Sequence, residues 1–191
     1  APLVERGIPL RLLNTFRPTH PGTQIVPQPA SDGARPPAII STRGLTLLGV
    51  VGNGERWTPE VAGRALSALA RAGVEVLMFS QSFSERVLTL LVREAEMEAS
   101  LRTLRREYEE DLARGHLSQV AALSQVGAIS VVGAPGGDGA AVVSKTFAAL
   151  GRLGTQIVSV AQSASEYHVS VIVPEAEVDD TVRFIHRELN V

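Results

Sequence analysis

The sequence predicts an α+β fold assembled from two copies of one β-α-β-β-α-β unit. Three observations carry that prediction. The polar pentapeptide Gln81-Ser82-Phe83-Ser84-Glu85 returns as Gln162-Ser163-Ala164-Ser165-Glu166, 81 positions later. Its flanks match in the same register with no gap: Val50-Val51-Gly52 falls on Val131-Val132-Gly133, Arg71 on Arg152, Gly73 on Gly154, and Val92 on Val173. The hydrophobic period also changes at the same points in each copy, from short β-branched runs to helical spacing and back. A turn that recurred by chance would not bring its flanks along.

The elements follow in order. The runs 45–51 and 126–132 are apolar, β-branched and closed by glycine, which predicts strands. Helices are expected over 58–73 and 138–154. Val61, Ala65, Leu66 and Leu69 recur at helical spacing in the first, and Val142, Thr146, Phe147 and Leu150 in the second. Thr58 before Pro59, and Asp138 in the second copy, suit N-caps. Gly73 and Gly154 suit the positive φ at a helix C-terminus. Strands are expected at 74–80 and 155–161, then at 86–92 and 167–173, with the pentapeptides as connections. An amphipathic helix follows at 96–114, with Leu101, Leu104, Tyr108 and Leu112 as its stripe, and a strand at 117–123 completes the first unit.

The second unit closes with a helix at 176–189, and its sixth element would fall beyond residue 191. The alternating segment 8–14 is the expected substitute, crossing over to pair with the second sheet, so that the first unit is inserted within the second. The expected division is therefore 1–38 (strand 8–14 and a proline-rich connector), 39–124 (first unit) and 125–191 (second unit). The chain opens on Ala1 rather than Met, which suggests a piece of a longer protein.

Composition narrows the function. The chain is 45% hydrophobic and 20% charged with a formal net charge of −2, so no basic footprint for nucleic acid or an anionic membrane is present. Aromatic residues amount to 4%, too few for base-stacking platforms. The absence of cysteine excludes disulfides and thiolate chemistry and fits a reducing cytoplasm. The four histidines show no metal-ligand spacing, and no phosphate loop or nucleophile elbow is spelled out. Gly52-Asn53-Gly54 stands between a strand and a helix, but Trp57 occupies the third glycine position of a dinucleotide fingerprint. Neither a catalytic group, a metal nor a cofactor is expected.

What remains is a small-ligand site at the first β-to-α turn. Gly52 and Gly54 allow close backbone approach, and N–H groups at the start of the helix attract a carboxylate. Gln81 offers a donor and an acceptor, Ser82 and Ser84 extend the polar rim, and Glu85 suits an ammonium group. The competing reading is a solvated turn in which the serines bond their own backbone.

The repeated unit, with glycine after its first strand, resembles the ACT domain, a ferredoxin-like amino-acid-sensing module. The pair resembles the regulatory region of aspartokinase, nearest to that of the bifunctional aspartokinase–homoserine dehydrogenases. Three stretches carry this: 7–25 (GIPLRLLNTFRPTHPGTQI), the strand-and-turn motifs VEVLMFSQSFSE and TQIVSVAQSASE, and VGAISVVG at 126–133. The resemblance implies antiparallel sheets with helices on one face, homodimerisation, and attachment to a kinase catalytic domain in the parent chain. It implies feedback control by an end-product amino acid, threonine before lysine. Carried over by position, the effector site comprises Gly52, Asn53, Gly54, Thr58, Gln81, Ser82, Ser84 and Glu85. A second candidate site comprises Gly133, Asp138, Gln162, Ser163 and Ser165. Glu60 and the bulky Trp57 depart from the family pattern at the turn. A structural dimerisation module without a working effector site is the alternative, and the chain itself is not expected to be an enzyme.

Overall fold

The structure is a computed structural model and describes residues 3, 6–25, 37–53, 59–82, 84–133, 139–162 and 168–189. The chain forms two compact units, Ala1–Ala34 and Arg35–Val191.

The smaller unit holds an antiparallel hairpin of β1 (Leu10–Leu12) and β2 (Thr23–Ile25), with Leu10 opposite Ile25 and Leu12 opposite Thr23. Gly22 has φ 71°, and a Cβ there would lie 2.2 Å from the Leu12 carbonyl oxygen, so only glycine fits before β2. Every residue of both strands is exposed.

The larger unit runs β3 (Ala38–Gly52), α1 (Pro59–Arg71), β4 (Met78–Ser82), β5 (Val87–Arg93), α2 (Met97–Glu107), α3 (Glu109–Ala113), β6 (Leu117–Val132), α4 (Gly139–Leu153), β7 (Ser159–Gln162), β8 (His168–Pro174) and α5 (Val178–Leu189). Short 3-10 turns at Glu94–Glu96 and Glu175–Glu177 lead into α2 and α5. Its strands form one antiparallel sheet in the order β4-β5-β3-β6-β8-β7. The long strands β3 and β6 lie side by side at the centre. In the first half of the sheet, residues 45–52 of β3 lie between β5 and residues 117–123 of β6. In the second half, residues 126–132 of β6 lie between β8 and residues 38–42 of β3.

This corrects the expectation for 8–14. That segment pairs with 23–25 in its own hairpin, and the seat beside the second unit is taken by 38–42. The repeat explains why. Subtracting 81 from 117–123 gives 36–42, so the strand that closes the second half is the counterpart of the strand that closes the first. Pro36 and Pro37 had marked this stretch as connector, yet β3 starts at Ala38, directly after them. Insertion of the first unit within the second survives, but the expected boundaries at 38/39 and 124/125 both fall inside strands, β3 and β6, that serve both halves.

Three apolar clusters hold the larger unit. Leu48, Val50, Leu69, Leu88, Leu104 and Tyr108 belong to the cluster beneath α1 and α2. Ile129, Val131, Leu150, Val171 and Ile185 lie beneath α4 and α5. Leu45, Leu47, Leu91, Val126 and Ile172 occupy the opposite face of the sheet, drawing on both halves. The sheet curls about that third cluster until its outermost strands, β4 and β7, touch.

The strands 78–82 and 159–162 begin four residues later than expected, and Val74 enters the core from the segment preceding β4. The helix expected over 96–114 is broken at Tyr108 (φ −107°, ψ 17°) into α2 and α3. Phe147, expected in the stripe of α4, is 36% exposed, while Ala149 is buried there. Arg71 pairs with Glu107, and 81 positions on Arg152 pairs with Glu188, so the ion pair joining the two helices was copied with the unit.

Candidate functional site

The end of β3 carries Gly52 and Asn53. Both N–H groups are used within the fold: Gly52 donates to the Arg86 carbonyl at 2.8 Å, and Asn53 to that of His116 at 2.9 Å. These bonds tie the turn to both neighbouring strands. Neither of these two N–H groups is therefore left for a ligand. Gly54 and Thr58, with 55–57 between them, lie outside the described residues.

Beside this turn opens a cleft of about 380 Å³ lined by Glu60 and Arg64 of α1, Asp111 of α3, and Arg114 and His116 of the following loop. Its geometry centres on Arg64. The guanidinium donates through Nε to Glu107 Oε1 at 3.0 Å, through Nη1 to Asp111 Oδ2 at 2.8 Å, and through Nη2 to the Glu107 carbonyl at 2.7 Å. It also lies 4.8 Å from the centroid of the Tyr108 ring. Burial disfavours its charge, but the bonds to Glu107 and Asp111 and their negative charges outweigh that and hold the Arg64 pKa above its ordinary value. Tyr108 is fully buried and donates to the Val61 carbonyl at 2.5 Å, pinning the first turn of α1. Burial pushes its phenol well up, more than the nearby Arg64 charge pulls it down. Asp111 Oδ1 in turn lies 3.5 Å from His116 Nδ1. A continuous chain of polar contacts thus runs from Arg64 through Asp111 and His116 to Asn53.

Gln81 lies elsewhere on the same end of the sheet. It pairs with Leu88 on the edge strand β4, two strands from Gly52, a separation of roughly 10 Å. It is exposed, as are Ser84 and Glu85. Ser82 is half-buried, and its hydroxyl oxygen accepts the Glu85 N–H at 3.3 Å, the self-bonded serine of the turn reading. The structure therefore groups Gln81 with Ser82, Ser84 and Glu85, and Gly52 with Asn53, without bringing the two groups into one cleft. In the second half, Gly133 is buried at the end of β6 and Gln162 is exposed at the end of β7. Asp138, Ser163 and Ser165 lie outside the described residues.

Arg64, Asp111 and His116 were missed by sequence reasoning. Arg64 falls on the polar face of an amphipathic helix, where an arginine is ordinarily solvated. Under the 81-residue offset Asp111 and His116 fall on Ala30 and Arg35, which match neither of them, so the repeat did not single them out. No cluster of three metal-ligating side chains occurs among the described residues. No described helix is long and apolar enough to cross a membrane.

The ACT domain family model matches residues 48–108 and 129–189. Among curated proteins, the bifunctional aspartokinase/homoserine dehydrogenase of Haemophilus influenzae is 28% identical over 192 residues, covering 98% of this chain and 23% of that protein. The chain thus spans under a quarter of that relative's length. Among solved structures, the aspartate kinase of Clostridium acetobutylicum superposes with a TM-score of 0.82 at 19% identity, over 99% of this chain and 43% of that one. The ligand-free regulatory subunit of aspartate kinase from Thermus thermophilus superposes with a TM-score of 0.64 at 23% identity, over 79% of this chain and 97% of that one.

Proposed function

Since this chain belongs to the ACT domain family and carries two copies of that domain, we propose that it is the allosteric regulatory portion of an aspartokinase, binding an end-product amino acid and transmitting its presence to a kinase domain outside these residues. The observation that carries this reading is the mixed-charge cleft beside Asn53. It presents Arg64, Arg114 and His116 together with Glu60 and Asp111, and an amino acid is a zwitterion that needs both signs within a few ångströms. Threonine is the favoured effector, with lysine next. At the Gln81 turn, which stands apart from that cleft, the amide of Gln81 matches a hydroxyl as both donor and acceptor, whereas a lysine ammonium would call on Glu85. The exposed hairpin 10–25, with Leu10, Leu12, Phe16 and Ile25 in solvent, would face the kinase domain. Among the described residues the outer strands β4 and β7 share no ladder hydrogen bonds with each other, which leaves backbone groups for a homodimer, and the parent enzyme would be cytoplasmic.

Calorimetry with threonine and lysine tests the reading. Threonine should bind with Gln81→Ala weaker by about 1–2 kcal/mol, the scale of a lost hydrogen bond and an unpaired group. Gln162→Ala should cost as much only if the second site is also filled. Unchanged threonine affinity in both variants would remove the glutamines from the site. Tighter binding of lysine would overturn the choice of effector, and no binding by any amino acid would leave a dimerisation module.

A further inference from the structure

On the sheet face opposite the helices, between the two halves, lies a cavity of about 480 Å³. Of the candidate effector residues that are described, only Gln162 borders it. Its size falls in the range of small-molecule sites, roughly 300–1,000 Å³. Leu45, Leu77, Met78, Leu91 and Ala128 make an apolar wall. One end is polar. Ser130 of β6 stands opposite Ser170 of β8, their hydroxyl oxygens 2.7 Å apart, and Ser170 Oγ is 3.2 Å from His168 Nε2. Ser170 is 9% exposed.

The repeat makes these side chains informative. The counterparts of Ser130, His168 and Ser170 are Gly49, Val87 and Thr89, so the duplicated unit does not require this polar chain. Three polar groups on a face otherwise built from Leu45, Leu47, Leu91, Val126 and Ile172 cost stability unless their hydrogen bonds are met. Among Ser130 Oγ, Ser170 Oγ and His168 Nε2 they are met except at one place. If Nε2–H donates to Ser170 and Ser170 to Ser130, the Ser130 hydrogen is left over; if the chain runs the other way, the Ser130 lone pairs are left over. Either way the open position is at Ser130, on the cavity. Arg93 borders the same cavity with Thr42. Among the described residues its partner is Glu75, reached through Nη2 at 3.2 Å, which leaves most of the guanidinium's donors for a ligand.

We propose that this cavity binds a small aliphatic carboxylic acid carrying a second hydrogen-bonding group at its far end, at a site separate from the turn after β3. The carboxylate lies against Arg93 and Thr42. The aliphatic chain lies on Leu45, Met78 and Leu91. The distal group meets Ser130 and the Gln162 amide.

Calorimetry of the whole chain with ω-hydroxyhexanoate, hexanoate and hexane diol tests this. One saturable site is expected for the hydroxy acid. Loss of one anchoring group, by using hexanoate or the diol or through Ser130→Ala or Arg93→Gln, should weaken binding by about tenfold. Ala128→Leu should abolish it by filling the cavity, with thermal unfolding confirming the fold; Ser130→Ala serves where that variant does not fold. Gln81→Ala should leave it unchanged, so failure of the threonine reading and failure of this one are separable. Absence of saturable binding by the hydroxy acid overturns the proposal, as does affinity indifferent to both Ser130→Ala and Arg93→Gln. A change in sedimenting mass on Ala128→Leu without loss of acid binding would assign the cavity to a second copy of the chain and equally overturn it.

Discussion

Gly44 and Gln125 stand 81 positions apart and both adopt left-handed backbone, at φ 65° and 56°, where β3 and β6 pass from one half of the sheet to the other. Each sits at a register break, between Thr42 and Leu45 on β3 and between Leu123 and Val126 on β6. Such a bulge re-aims the side chains of a strand, which keeps every helix on one face of the sheet. Gly44 also donates its N–H to Glu175 Oε2 at 2.9 Å, fastening the first crossover to the second half.

Gly44→Ala should therefore destabilise the fold by about 1–2 kcal/mol, the cost of left-handed backbone for a residue with a Cβ. Gly63→Ala and Gly151→Ala are the controls. Both glycines lie within helices with nothing inside 4 Å of an added methyl, and each change should stabilise by about 0.5–1 kcal/mol. Urea denaturation of the three variants would show opposite signs.

Gly127 presents the other limit. A Cβ there would lie 2.4 Å from Val178 Cγ2 and 3.2 Å from the Thr42 carbonyl oxygen. Gly127→Ala should cost about 1–3 kcal/mol through overpacking. Val178→Ala should recover part of that loss in the double variant, although alone it removes buried apolar surface. A double-mutant cycle that came out additive would show that the two sites do not meet.

Tyr108 sets a pH dependence. Its phenol is buried and its folded pKa is raised, so as pH passes the unfolded value near 10 the unfolded chain loses a proton that the folded chain retains. Stability should then fall by about 1.4 kcal/mol per pH unit, beginning near pH 10. Tyr108→Phe should remove that slope. It should also cost about 1 kcal/mol at neutral pH, through the lost bond to the Val61 carbonyl. Equilibrium unfolding at neutral and alkaline pH measures both.

Arg64→Met should loosen the cleft without emptying the core. Removing the guanidinium leaves Glu107 and Asp111 facing each other without their shared cation. A loss of about 1–3 kcal/mol in stability is expected, together with weaker amino-acid binding where the cleft is the effector site. Arg71→Met removes a mostly exposed partner of the same Glu107 and should change stability by less than about 1 kcal/mol.

The repeat was readable because both copies kept the apolar periodicity that a buried face demands. Val61, Ala65 and Leu69 in one copy, and Leu150 in the other, are buried as their spacing required. The strand 38–42 escaped notice because it lies before the first recognisable copy and directly after Pro36 and Pro37. Its alternation is also short, with Ile39 half-buried and Ile40 exposed. The site was harder to read for a physical reason. Gln81 and Gln162 stand out as repeated letters, but the cleft is built from Arg64, Asp111 and His116, which converge from separate elements. Their spacing in the chain says nothing of a separation of about 3 Å in space.

The division of β3 and β6 between the two halves has one more consequence. A cut in the loop near Gly115 would leave two pieces, each opening on a strand that belongs to the other piece's half of the sheet. Neither could close its own sheet, and each would display a vacant edge shaped for the other's first strand. A chain holding a single repeat would meet the same problem and could solve it by exchanging that strand with an identical copy. The tandem chain has the topology of such a strand-exchanged pair with its ends joined, which turns an encounter between two molecules into a covalent certainty.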